Sequence, residues 1–248
     1  MNPRHRLRSV LWLTYLNGVL PMRSQPLYLI NLLASPLSFL FFVTVASNGA
    51  LFQYGVSGGM LLTVLSIGTS LQSDMTHYRH DLKLQDVMVA SPLEAPVYVA
   101  GLALSELVYS LPGMALFVAL WIVHTPPSGA DIATVIGTLL LVWAFASALG
   151  FTLATYFEDV RETFVFAPLI SLIMTVLPPV YYPPSSLPGW ALHLAYLSPT
   201  TYAADLLHYA FGLQTIPGLD PLVDWAVLIA FTVGLLLLAT FKARWREP

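Results

Sequence analysis

Six histidines, one glutamate inside an apolar run and one Gly-x-Ser-Gly string are the openings this sequence offers for chemistry. In Gly55-Val56-Ser57-Gly58, a helix-borne serine would need a histidine from another membrane span to take its proton. None of His5, His77, His80, His124, His193 and His208 falls within a predicted span, so the string reads as a small-residue helix contact. His77, His80 and Asp81, or Asp205 and His208 at i, i+3, supply two or three potential metal ligands. Without a fourth they read as solvated or interfacial side chains, and no metal site is assigned.

Glu106 is different. It lies within the apolar run 95–123 with no basic residue within a turn on either side, where an ionisable group is expensive and marks a function by default. Two roles are open to it. It packs as a hydrogen-bonded, neutral group, or it faces a polar crevice on a transport route with Ser105 and Tyr109.

The elements that carry these residues follow from composition. Hydrophobic residues make up 57% of the 248 and charged residues 9%, far below the roughly 25% charge of a soluble domain. No water-facing surface can be built from that, so the chain is predicted to be an all-α membrane protein. Apolar runs at 27–46, 50–71, 95–123, 132–156, 164–180 and 223–241 are each close to the roughly 20 residues a span needs, giving six spans. The basic start, 1–24, carries Arg4, Arg6 and Arg8 ahead of Trp12 and Tyr15 and reads as an interfacial amphipathic helix. Ser47-Asn48-Gly49 is a tight turn between the first two spans.

Orientation follows from the basic residues, which collect on the cytoplasmic side. With both termini inside, all ten fall inside: Arg4, Arg6, Arg8, Arg23, Arg79, Lys83, Arg161, Lys242, Arg244 and Arg246. The outer loops then carry only Asp131, Asp205, Asp220 and Asp224. The proline-rich yet apolar stretch 181–220 reads as two short helices, over 189–197 and 200–213, either dipping back into the outer leaflet as a re-entrant hairpin or packed on the ends of the spans.

The cytoplasmic stretch 73–92, polar but ending in Val87-Met88-Val89, suits docking to a partner. Neither Lys83 nor Lys242 has the glycines of a phosphate-cradling GxxxxGK[ST] loop ahead of it, so the chain has no nucleotide site of that kind. Zero cysteines exclude thiolate chemistry.

Pro179-Val180-Tyr181-Tyr182-Pro183-Pro184-Ser185-Ser186-Leu187-Pro188-Gly189-Trp190, continuing through Ser198-Pro199-Thr200-Thr201-Tyr202-Ala203-Ala204-Asp205, resembles the outer segment of type-2 ABC exporter permeases. Asp81 to Pro92 more loosely resembles that family's segment leading into the third span, without its Gly-Thr and Glu. The resemblance implies a transport subunit without catalytic residues, in the cytoplasmic membrane among its lipids. It implies pairing with a second copy and seating on two copies of a P-loop ATPase, which alone binds ATP and Mg; nucleic acid is not a partner. It further implies coupling to the ATPase through Arg79, Asp81, Lys83, Leu84 and Asp86, with Glu106, Tyr181 and Tyr182 on the substrate route. Cargo would be a hydrophobic or amphipathic compound, a lipid or a glycan. A membrane-embedded enzyme would need more convergent ionisable groups than Glu106 alone, and an ATP-independent carrier would leave the docking stretch unexplained.

Overall fold

The computed structural model describes residues 3–24, 27–80, 95–156 and 159–242. The described residues are almost all helical, with no strand among them, so the fold is all-α as its composition predicts. Of the expected coupling residues, Arg79 falls in the last turn of a helix, while Asp81, Lys83, Leu84 and Asp86 lie outside the described residues.

The order is α1 (Pro3–Thr14), a π-helical stretch (Tyr15–Val19), α2 (Leu20–Ser24), α3 (Leu27–Ala46), α4 (Phe52–His80), α5 (Ala95–His124), α6 (Gly129–Ala154) and α7 (Val160–Val176). A 3-10 turn (Pro184–Ser186), α8 (Gly189–Ala195), α9 (Pro199–Ala210) and α10 (Pro221–Lys242) complete it. Among the described residues, four helices are long and apolar enough to cross a membrane, over Phe52–His77, Val97–His124, Gly129–Ala154 and Pro221–Ala239. α3 is apolar over Leu32–Ala46. α7, with 17 residues, rises about 26 Å, a little short of a hydrocarbon core of about 30 Å.

α4 is the hub, packed against α3, α5, α6, α7 and α9. Its glycines make this possible. A Cβ on Gly55 would stand 2.7 Å from Leu40 of α3, one on Gly59 2.2 Å from Phe117 of α5, and one on Gly68 2.4 Å from Ala146 of α6. Small residues let membrane helices approach closely and gain dispersion contacts over their length. This accounts for Gly55-Val56-Ser57-Gly58. Ser57 is buried and donates to the Tyr54 carbonyl at 3.1 Å within its own helix, and the flanking glycines are contact notches.

Local signals close the ends. Between α3 and α4, Asn48 (φ 51°) and Gly49 (φ 87°) take the left-handed conformation that these two residue types tolerate best. α6 begins with a capping box in which the Ser128 N–H donates to the Asp131 carboxylate at 2.8 Å and the Ser128 side chain accepts from the Asp131 N–H. Asp159 caps α7 by accepting from the Arg161 N–H at 2.8 Å.

Two segments depart from the simplest reading. α4 does not stop near Leu71 but continues to His80, because Leu71, Ser73, Met75 and Thr76 are still buried against neighbours. The N-terminal segment runs alongside the first turns of α5: Leu13 packs on Gly101, the Thr14 hydroxyl donates to the Gly101 carbonyl, and Gly18 lies against Ser105. Its other side exposes Leu7, Leu11, Trp12, Tyr15 and Leu16.

Candidate functional site

Among the described residues, ionisable side chains inside the bundle gather in two places, one between α4 and α5 and one where the hairpin of α8 and α9 meets the bundle. At the first, Glu106 has climbed about 17 Å from the start of α5 at 1.5 Å per residue. Its Oε2 accepts from the Ser70 hydroxyl of α4 at 3.0 Å, and its carboxyl also meets that of Asp74. Ser70 and Asp74 are four residues apart, hence on one face of α4. His77 faces Asp74 electrostatically, and Asp74 in turn faces Tyr98. Glu106 is therefore not the isolated ionisable group the apolar run implies; it belongs to a polar seam between two helices.

At the second place α9 is buried along almost its whole length. The Thr200 hydroxyl donates to the Met174 carbonyl of α7 and the Thr201 hydroxyl to the Ala195 carbonyl of α8. Trp121 of α5 stacks on Phe211 with ring centroids 4.6 Å apart. His208 sits edge-on to Tyr54 of α4 at 4.8 Å, and its Nε2 lies 3.3 Å from the Val180 carbonyl. Burial, outweighing that contact, pushes the His208 imidazole down to about 4. Asp205 accepts the Ile216 N–H at 2.6 Å and faces Asp224 of α10. Asp205 and His208, the i, i+3 pair of the sequence, thus engage backbone groups and, for Asp205, a second carboxyl.

Tyr181 and Tyr182, neighbours in sequence, have unlike environments. Tyr181 is buried, stacked on Phe39 of α3 at 5.2 Å, and burial alone pushes its phenol far up. Tyr182 is half-buried and donates to the Val176 and Leu177 carbonyls at 2.9 and 3.1 Å, satisfying the open end of α7. The hairpin is further tied by Ser185 donating to Gln214 and by the Gln214 N–H donating to the Tyr54 hydroxyl.

Of the residues expected on a route, Glu106 lies in the first polar place, and Tyr181 and Tyr182 lie beside the second. The partners that reading the sequence missed are Ser70, Asp74 and Asp224. Asp74 was legible as the residue one turn after Ser70 on an extended helix, had the polar stretch beginning at Ser73 not read as loop.

A chain of long apolar helices around a glycine-notched central helix, with polar seams inside, is a multi-pass membrane protein. Residues 10–211 match the model of the ABC-2 type transporter family, and the chain belongs to that family as a transmembrane permease component of an ABC transporter. Permease domains of this family work with an ATP-binding cassette partner. No curated protein matches the chain.

Proposed function

We propose that the chain is the membrane half of an exporter. Two copies pair, sit on two P-loop ATPase subunits that bind ATP and Mg, and move a hydrophobic or amphipathic compound, a lipid or a glycan outward across the cytoplasmic membrane. The family match over residues 10–211 carries this reading. In it, all six apolar runs span, both termini are cytoplasmic and the hairpin of α8 and α9 lies on the outer side, which is what the distribution of basic residues favours. The end of α4 with the segment after it, including Arg79, Asp81, Lys83, Leu84 and Asp86, receives the ATPase stroke. Glu106 belongs to the inner part of the route, and Tyr181 and Tyr182 shape its outer end. Support for the inner assignment is the polar seam Glu106 shares with Ser70 and Asp74.

The test is reconstitution. Co-expressed with a P-loop ATPase, the chain should copurify with it, and lipid vesicles holding both should hydrolyse ATP and move a fluorescent lipid or amphipathic dye between leaflets. Vesicles with either subunit alone should do neither. Movement without the ATPase would make the chain a carrier and overturn the reading.

A further inference from the structure

Asp205 of α9 and Asp224 of α10 face each other where the hairpin meets the last helix, and both are buried, 3% and 1% exposed. No donor reaches either oxygen of Asp224 among the described residues, although its carboxyl is in hydrogen-bond contact with that of Asp205. A carboxyl can hydrogen-bond a carboxylate only if one of them carries a proton, and like charges so close cannot both ionise cheaply away from water. We propose that Asp205 and Asp224 share one proton, and that this proton fastens the hairpin to α10 as a pH-sensitive clamp.

The surroundings make the contact a fastening. Asp205 also accepts the Ile216 N–H, so one chain of hydrogen bonds links α9, the return segment and α10. Asp220, which caps α10 by accepting the Leu222 N–H at 2.9 Å, adds negative charge beside Asp224. The other titratable groups nearby are Tyr202 on α9, whose hydroxyl donates to the Tyr196 carbonyl, and His208 one turn on, against Tyr54 of α4. On α6, which packs against both α9 and α10, the one titratable residue is Asp131, engaged in its capping box, and α4, which packs against α9, presents Tyr54 there. None of these is a cation that could replace the proton. Burial holds Asp205 above the ordinary carboxyl range, partly offset by the Ile216 N–H. When the proton leaves at rising pH, two carboxylates confront each other in a dry site and the hairpin loosens.

The clamp does not depend on the transport reading, and its test needs no cargo. The sequence has no cysteine, so Trp190→Cys on α8 and Leu222→Cys on α10, both exposed positions, can carry two spin labels in the full chain in lipid. The measured distance distribution should be narrow near pH 5 and broaden reversibly toward about pH 9, well above the ordinary carboxyl value of about 4. Asp224→Asn, whose amide donates to Asp205 without a titratable proton, should stay narrow throughout; Asp205→Asn serves if that variant does not fold. A distribution independent of pH in the unsubstituted pair, or equal broadening with asparagine present, overturns the clamp.

Discussion

The Tyr181 ring lies across Gly58 of α4, in the space a side chain there would need: a Cβ on Gly58 would stand 2.6 Å from Tyr181 Cδ1. The aromatic stretch that leads into the hairpin is thereby seated on the central helix, and the Tyr181 ring also stacks on Phe39 of α3. A shift of α4 toward the Tyr181 ring at Gly58 would press on it.

Gly58→Ala should therefore destabilise the chain by about 1–3 kcal/mol, the usual cost of overpacking a close contact. Tyr181→Ala should cost about 3–5 kcal/mol by leaving a cavity. In the double variant the clash is gone, so the combined loss should fall short of the sum. Thermal unfolding in detergent reads all three, and strict additivity would mean that the two residues do not touch in the folded protein.

At the α4–α5 seam, Glu106→Gln keeps the size and hydrogen-bonding capacity of the side chain but cannot ionise. Glu106→Ala takes the carboxyl partner from Asp74 and one of two acceptors from Ser70, which keeps the Ile67 carbonyl, and should lose about 1–3 kcal/mol. Normal folding of Glu106→Gln with at least tenfold slower ATP-driven transport would place ionisation of Glu106 on the route. Full transport by Glu106→Gln, with poor folding of Glu106→Ala, would leave Glu106 a packing role and remove it from the route.

His208 should contribute to a loss of stability on the acid side. Its folded-state value, about 4, lies below the ordinary imidazole value of about 6.5, so the unfolded chain binds a proton in this window and the folded chain does not. Stability is then full above about 6.5 and declines as pH falls toward 4, by at most about 3 kcal/mol. His208→Gln should flatten that slope between about pH 6.5 and pH 4. The carboxyl clamp slopes the other way from its ordinary value of about 4 upward, so between about pH 4 and 6.5 the two slopes oppose each other, and removing His208 should uncover the fall in stability with rising pH that the clamp contributes. Melting curves across pH separate the contributions, and an acid slope unchanged in His208→Gln would assign it to other groups.

Single cysteines introduced at positions 79 to 86 should crosslink to the ATPase in the assembled complex, and one at Trp190 on α8 should not. The reverse pattern would turn the chain over in the membrane and remove the coupling role from this segment.

The sequence by itself determined the class of the molecule. With 57% hydrophobic residues and apolar runs of span length, only helices that satisfy their own backbone could carry these segments into a membrane. Proline and glycine punctuation marked the turn at Asn48-Gly49 and the two short helices of the hairpin, because these signals act within a few residues. The side-chain partnerships were decided by the tertiary structure. Glu106 was recognisable as an expensive residue, but nothing in the 36 positions that separate it from Ser70 announces that α4 would bring Ser70 and Asp74 to meet it. Asp205 and Asp224 read as solvated outer acids until α9 proved to be buried. Tyr181 and Tyr182, adjacent and chemically identical, acquired a core position and a helix-closing hydrogen bond respectively because the chain turns between them. Local propensity falls off within a turn or two, whereas burial of a carboxyl or a phenol depends on which distant helix arrives beside it, and only close packing of the whole bundle fixes that.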